Sequence, residues 1–206
     1  MLLDANDCQL VLVDFQTRLM PAIHDGTQVL ANAVRLARMA QTLAVPMLAT
    51  EQNPDKLGTS EPALAEVLTQ ARARLLPKMA FSGCADGLAR LLRPSGPPPA
   101  PGNARSLPRH LQKAAPAAAP ERSTVVVAGC EAHVCLLQTA LDLLQEEFEV
   151  WVVTDACGSR TERNRDAAYD RLAANGAELV TTEMVAFEWL RTAHHPQFRA
   201  IQALIK

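Results

Sequence analysis

Three residues that could carry acid–base or nucleophilic chemistry stand at or just beyond the ends of short apolar runs: Asp14, Lys78 and Cys135. Thiolate is the reactive form of cysteine, and the free backbone N–H groups in the first turn of a helix stabilise it. A lysine ammonium nearby lowers the pKa of a thiol further, and a carboxylate can shuttle its proton. The three residues therefore predict a nucleophile, a charge partner and a base, with the pKa of Cys135 below about 8.5.

Each of the three also has an ordinary structural explanation. A single cysteine in an apolar context is usually a small core residue, an aspartate after a strand can anchor a loop, and a lysine is most often a surface charge. Packing is likewise the expected role of Cys8, Cys84 and Cys157, although Cys157 could line the same cleft. The catalytic interpretation depends on whether the fold brings the three residues to one place.

The elements that would position them follow from the hydrophobic pattern. Apolar runs predict strands over residues 9–15, 45–50, 74–78, 123–129, 149–154 and 178–181. Helical periodicity predicts helices over residues 27–44, 61–71, 85–92, 133–146, 162–175, 183–192 and 196–206, with a loop over 51–60. Apolar strands alternating with helices indicate an α/β fold, a Rossmann-like three-layer α/β/α sandwich on a six-stranded parallel sheet. Ligands of such sheets bind beyond the carboxyl ends of the strands, where all three candidate residues fall.

Residues 94–123 interrupt this alternation. They contain eight of the 14 prolines of the chain and little apolar bulk. Such a composition cannot build a core, so the segment is interpreted as a surface insertion. The 206 residues are then expected to form a single domain, 1–206, that carries this insertion.

Composition excludes several classes of function. The net charge of −2 and the 4% of aromatic residues argue against nucleic acid as a partner, because binding it needs a basic field or stacking platforms. No apolar run is long enough to cross a membrane, and Asp4 and Asp7 stand where a signal peptide would be basic. The five cysteines lack the regular spacing of a disulfide framework. A cytoplasmic protein is expected.

The motifs around the candidate residues resemble those of the isochorismatase-like cysteine hydrolases. They are Leu-Val-Asp14-Phe-Gln16, Thr50-Glu51-Gln52-x-Pro54, Pro77-Lys78-Met-Ala-Phe81-Ser82, Gly129-Cys130-Glu131-Ala132-His133-Val134-Cys135, Asp155-Ala-Cys-Gly-Ser159-Arg160 and His195-Pro196-Gln197-Phe198. Within that family the chain is most similar to the isochorismatase domain-containing proteins related to the bacterial YcaC type. The resemblance covers nearly the whole chain except residues 94–123.

This resemblance implies a metal-independent hydrolase that cleaves a small amide or a related C–N or C–O bond. It assigns Asp14, Lys78 and Cys135 as the catalytic triad, with a thioester on Cys135 as intermediate. It also implies an oxyanion hole formed by the backbone N–H groups of Glu131 and Cys135, preceded by a cis peptide bond between Cys130 and Glu131. Removing one oxyanion donor typically costs about 10²–10³ in rate.

Partners and cofactors follow from the same resemblance. A small-molecule substrate is expected. Because they lie at or near the ligand edge of the sheet, the candidate pocket residues are Phe15, Gln16, Glu51, Gln52, Phe81 and His133. The alternative is a core position for Phe15, Gln16 and Phe81 and a solvated loop for Glu51 and Gln52. Nicotinamidases of the family carry an Asp-x-His…His metal site after strand two, where this chain has Glu51-Gln52-Asn53. No metal and no cofactor are therefore predicted, and the family's habit of forming dimers or larger rings predicts a homo-oligomer.

Two other functions remain as alternatives. The family includes catalytically silent members, so a binding or scaffold protein is one of them. A thiol redox enzyme is the other, and the lack of a resolving cysteine at C-x-x-C spacing disfavours it. For the hydrolase, we expect Asp14→Asn to abolish turnover with little change in melting temperature.

Overall fold

The structure, a computed structural model, describes residues 1–93 and 122–206. Within those residues the strands are β1 (Cys8–Val13), β2 (Met47–Gln52), β3 (Arg74–Lys78), β4 (Thr124–Cys130), β5 (Glu149–Gly158) and β6 (Glu178–Val180). The α-helices are α1 (Gly26–Thr42), α2 (Pro54–Leu57), α3 (Pro62–Gln70), α4 (Leu88–Leu92), α5 (Leu137–Gln145), α6 (Glu162–Ala174), α7 (Thr182–Leu190) and α8 (Phe198–Ile205). A π-helical turn, Ala132–Leu136, stands directly before α5.

The six strands form one parallel sheet in the order β3-β2-β1-β4-β5-β6. Helix α1 packs with α3, α7 and α8 on one face, and α5 packs with α6 on the other. The predicted three-layer α/β/α fold is therefore confirmed. The strand order reverses between β1 and β4, which is the position where doubly wound sheets bind ligands.

Two strands run at least two residues further than the apolar pattern predicts. Strand β2 includes Glu51 and Gln52, which pair with Pro77 and Lys78 of β3, so the predicted loop 51–60 begins later and contains the short helix α2. Strand β5 continues to Gly158 because it resumes pairing with β4 after a register shift. In β2 the ladder continues through polar residues, since hydrogen bonds between backbones do not depend on side-chain polarity.

Most of the predicted insertion, residues 94–121, lies outside the described residues. The last two residues of the predicted segment are described, and they pack on the N-terminal segment. Arg122 donates hydrogen bonds of 2.8 Å to the carbonyls of Ala5 and Cys8, and Ser123 contacts Asp7 at 3.3 Å. Within the described part of the chain, no helix is both long and apolar enough to span a membrane.

Candidate active site

Asp14 follows the last residue of β1 and lies where the strand order reverses. Its backbone has a φ of 57°, in the left-handed region that aspartate tolerates better than most residues. The hydroxyl of Thr50 donates a hydrogen bond of 2.7 Å to Oδ1 of Asp14. The other oxygen, Oδ2, is also buried and faces the ammonium of Lys78. One oxygen of this carboxylate is therefore held by a hydroxyl, and the other is paired with a positive charge.

Lys78 ends the edge strand β3 and reaches across β2 to this carboxylate. Its Nζ lies 2.8 Å from Oδ2 of Asp14, and neither side chain is exposed. The ammonium also donates to Oε1 of Gln52 at 2.6 Å and to the carbonyl of Phe81 at 3.0 Å. A buried ammonium is tolerable only when its charge and its protons are matched in this way. Lys78 is thus committed to protein acceptors.

Gln52 stands between the lysine and the cysteine because β2 lies between β3 and β1. Its Nε2 donates to the carbonyl of Met79 at 2.8 Å, which turns Oε1 toward Lys78. The backbone of Gln52 is held by Gln16, which accepts from its N–H at 2.8 Å and donates to its carbonyl at 3.0 Å. Gln16 and Gln52 therefore support the pair of charges.

Cys135 lies in the π-helical turn after β4, and its side chain meets the same group of residues. Its Sγ is 3.9 Å from Oε1 of Gln52. Burial raises the pKa of the Cys135 thiol to about 12, with the Asp14 carboxylate adding to the increase and the Lys78 ammonium opposing it. The expectation of a pKa below the ordinary value was wrong, because burial outweighs the cation and the helix end. The resting site therefore holds a neutral thiol beside an ion pair.

The turn that leads to Cys135 is made by Glu131. None of the described peptide bonds is cis, that between Cys130 and Glu131 included, so the expected cis bond is absent. The chain reverses instead through a φ of 33° at Glu131, whose carbonyl accepts hydrogen bonds from the N–H groups of Val134 and Leu136. A left-handed backbone supplies the change of direction that was expected from a cis peptide.

A second polar group borders the site on the β5 side. Nε of Arg160 lies 2.7 Å from Oε1 of Glu131, and Nδ1 of His133 lies 3.2 Å from its Oε2. The same nitrogen of His133 is 3.0 Å from the hydroxyl of Ser159. His133 and Glu131 thus belong together, beside rather than within the Asp14–Lys78 pair.

Three predicted pocket residues occupy other places. Phe15 is in the hydrophobic core. Glu51 is on the opposite face of β2 from Thr50 and Gln52, as strand alternation requires, and its Oε1 accepts from the N–H and hydroxyl of Ser60. The side chain of Phe81 is largely exposed. Among the predicted pocket residues, Gln16, Gln52 and His133 are the ones with side chains in the polar groups described above.

Thr50 is a site residue that the sequence analysis did not single out. It pairs with Val13 in the sheet, which puts its hydroxyl beside the end of β1. The available signal was its spacing, because Thr50 and Gln52 are two residues apart in one strand and must share a face. This spacing becomes informative only when β2 is known to continue to Gln52.

A metal ion in a protein needs several donor side chains that converge on one point. No group of three or more His, Cys, Asp or Glu side chains in those parts of the chain could hold a metal ion. At the site itself the carboxylate of Asp14 is engaged by Lys78 and Thr50.

The chain matches known proteins over nearly its full length. The Isochorismatase domain model matches residues 8–97 and 112–184. Isochorismatase domain-containing protein 2A of Mus musculus is 34% identical over 197 residues, covering 96% of this chain and 82% of that protein. The matched blocks leave out residues 98–111, which lie in the proline-rich segment.

Solved structures agree with this assignment. A Caenorhabditis elegans protein described as MAR1 ribonuclease has a TM-score of 0.80 and 28% identity, covering 100% of this chain and 92% of that one. YcaC from Pseudomonas aeruginosa, solved with hexane-2,5-diol and covalent acrylamide, has a TM-score of 0.78 and 26% identity, covering 98% and 91%. The chain therefore belongs to the isochorismatase domain family, and this membership indicates hydrolase activity.

Proposed function

We propose that this protein is a metal-independent cysteine hydrolase in which Cys135 attacks the carbonyl carbon of a small amide or a related C–N or C–O bond. The observation that carries the proposal is the arrangement of three buried groups. An ammonium and a carboxylate pair at 2.8 Å beside a buried thiol.

In the first step, Oδ2 of Asp14 takes the proton from the thiol while the sulfur bonds to the carbonyl carbon. Because the pKa of Cys135 is raised to about 12, proton transfer accompanies attack and does not precede it. The carbonyl π electrons move to oxygen, and the backbone N–H groups of Glu131 and Cys135 donate to that oxyanion. The tetrahedral intermediate collapses to a thioester as the leaving group takes the proton from Asp14.

In the second step, water attacks the thioester. Asp14 takes a proton from this water, the second tetrahedral intermediate collapses, and the sulfur leaves and recovers its proton from Asp14. The products are a carboxylic acid and, for an amide, an amine or ammonia. Atoms and charge balance with no group beyond water.

Lys78 keeps the charge of the buried site constant during these steps. At rest its positive charge balances Asp14, and in each tetrahedral intermediate it balances the oxyanion while Asp14 is protonated. A negative charge then moves within the site without any change in net charge, which is favourable where water is excluded. Since Lys78 already donates to Gln52 and Phe81, we assign it to holding Asp14 and not to binding substrate.

A substrate screen tests this proposal directly. Small amides, ureides and esters are incubated with the wild-type protein and with Cys135→Ala, and hydrolysis is followed by mass spectrometry. Hydrolysis by the wild type alone, with a thioester on Cys135 trapped by hydroxylamine, is the expected result. A protein that binds compounds from the screen without cleaving any of them would instead be the catalytically silent alternative.

RNA is included in the screen because the Caenorhabditis elegans protein is described as a ribonuclease. The net charge of −2 offers no basic field to attract a phosphate backbone, and a buried thiol suits a small substrate better than a polymer. We therefore expect no RNA cleavage that depends on Cys135.

We also propose that the protein works as a homo-oligomer, a dimer or larger. Large apolar side chains are exposed along and after the edge strand β3, at Leu75, Met79 and Phe81, and on α7, at Met184 and Phe187. Exposed apolar groups at a sheet edge commonly mark an interface. Light scattering during size-exclusion chromatography tests this, and a monomeric mass at micromolar concentration would contradict it.

A cytoplasmic location is proposed from the cysteines. All five are free thiols, and four of them are buried. Unpaired thiols in a chain of this size are typical of a reducing compartment. Fractionation of cells that express the protein tests the location.

A further inference from the structure

We infer that Arg160 is a positioning residue, which acts through the side chain of Glu131 to hold the peptide group that donates to the oxyanion. The inference rests on the proposed function and adds a role for two side chains outside the Asp14, Lys78 and Cys135 triad. It starts from the strained position of Glu131 between β4 and the turn that carries Cys135.

The backbone of Glu131 requires support. Its φ of 33° lies in the left-handed region, where residues other than glycine are uncommon and cost about 1–3 kcal/mol. Glu131 also lacks the short side chain with which an aspartate or asparagine can bond its own neighbouring backbone and so relieve this cost. A conformation of this kind persists when surrounding contacts impose it.

The contacts that impose it come from the end of β5. The carboxylate of Glu131 is only 11% exposed, and its Oε1 forms an ion pair of 2.7 Å with Nε of Arg160. Its Oε2 accepts no hydrogen bond from the described residues, although Nδ1 of His133 lies 3.2 Å away. Arg160 is therefore the closest cation to a nearly buried carboxylate, and its loss would leave that charge poorly compensated.

Arg160 follows strand β5, whose end lies beside the end of β4 in the sheet. Gly158, two residues earlier, pairs with Cys130, the residue before Glu131. The carbonyl of the intervening Ser159 accepts a hydrogen bond of 2.9 Å from the N–H of His24. The ion pair thus joins the first residue after β4 to the second residue after the neighbouring strand β5, and it fixes the side chain of the residue whose N–H is proposed to donate.

A different role for Arg160 would be to bind an anionic substrate, since its side chain is 58% exposed. The geometry favours the positioning role, because the guanidinium already faces Glu131 at 2.7 Å. The two roles predict different behaviour toward a neutral reagent.

Acrylamide is such a reagent, and it reports on the oxyanion donors without requiring the natural substrate. The sulfur of Cys135 bonds to the terminal alkene carbon, the alkene electrons move so that negative charge appears on the amide oxygen, and the α-carbon then takes the proton that the thiol gave up. Methyl methanethiosulfonate forms a disulfide with the same thiol by releasing methanesulfinate, and no charge develops on a carbonyl. The ratio of the acrylamide rate to the thiosulfonate rate at Cys135 therefore measures how much hydrogen-bond donation to the oxyanion accelerates the reaction.

The experiment measures both rates at the Cys135 peptide by mass spectrometry in wild type, Arg160→Ala, Arg160→Lys and Glu131→Gln. Arg165→Ala is the matched control, because Arg165 forms a 2.8 Å ion pair with Asp166 on the surface of α6. Arg160→Ala and Glu131→Gln should lower the acrylamide rate about tenfold to a hundredfold, with the thiosulfonate rate unchanged. Arg160→Lys should recover much of the loss, and Arg165→Ala should have no effect.

Equal effects on both reagents, or no effect of Arg160→Ala on either, would overturn the positioning role. An unchanged acrylamide rate together with a raised KM for an anionic substrate would assign Arg160 to substrate binding. Failure of the proposed function looks different, since Cys135 of the wild type would then react with acrylamide no faster than Cys84, and that result would also remove this inference.

Discussion

The Nζ of Lys78 and Oδ2 of Asp14 lie 2.8 Å apart with neither side chain exposed to solvent. A buried ion pair contributes little net stability, because desolvation of both charges offsets their attraction. Removing one partner is costly, since it leaves the other charge buried alone. The proposed reaction and the stability of the fold therefore both depend on Asp14 and Lys78.

Asp14→Asn should abolish turnover and also destabilise the protein by about 3–5 kcal/mol. This replaces the expectation of a nearly unchanged melting temperature, which did not include the burial of Lys78. Asparagine tolerates a φ of 57° about as well as aspartate does, so the loss reports on charge. Urea unfolding measures it. The double variant Asp14→Asn with Lys78→Met should regain most of the stability and none of the activity, and a double variant as unstable as the single one would contradict this account.

The reaction of Cys135 with iodoacetamide, without substrate, should accelerate about tenfold per pH unit from pH 7 to 11. The reason is that the pKa of Cys135 is raised to about 12, so only about one thiol in 10⁴ is ionised at pH 8. Labelling of the Cys135 peptide, quantified by mass spectrometry at each pH, measures the profile. A plateau near pH 8 would mean that the thiolate is already formed at rest.

Stability should fall as the pH rises above 9, and Cys157 should contribute to the slope. Burial raises the pKa of Cys157 from 9.0 to about 12, so the folded state holds its proton while the unfolded state loses it. The contribution is complete below pH 9 and is lost as the pH rises toward 12, at about 1.4 kcal/mol per pH unit. Urea unfolding between pH 8 and 11 should give a shallower decline for Cys157→Ala than for the wild type. Parallel curves would show that Cys157 does not titrate in this way.

Gly129→Ala should impair both the fold and the reaction. A Cβ at Gly129 would lie 2.6 Å from Cβ of Val13 and 2.8 Å from its carbonyl oxygen, so β1 and β4 would have to separate. Overpacking of this kind costs about 1–3 kcal/mol. Displacing Asp14 from Cys135 by 1 Å costs about a hundredfold in rate.

Gly176→Ala is the control for that variant. Its φ of 95° makes alanine unfavourable, but nothing lies within 4 Å of the added Cβ. It should lose stability and keep its activity. Loss of activity in both variants to the same extent would show that general destabilisation explains the effect of Gly129→Ala.

The hydrophobic pattern along the chain was sufficient to predict the architecture of the fold. Strand β3 begins and ends at the predicted residues, and the apolar runs around Val11 and Val127 became the two central strands, whose residues are all buried. The motifs that include Asp14, Lys78 and Cys135 also identified the family correctly. These properties depend on residue type and spacing along the chain.

Properties that depend on neighbours across the sheet were beyond the sequence. The roles of Gln52 and Thr50 follow from pairing between strands, and the apolar pattern that predicts β2 stops at Thr50, before the polar Glu51 and Gln52.

The sequence by itself determined the fold class, the family and the three residues that could react. The tertiary structure decided their chemical state, because burial sets the pKa of Cys135 and commits Lys78 to Asp14. It also decided that Glu131 turns through a left-handed backbone with Arg160 beside it. The burial of a side chain and its ion pairs depend on residues that are far apart in the chain, so they are defined only once the chain has folded.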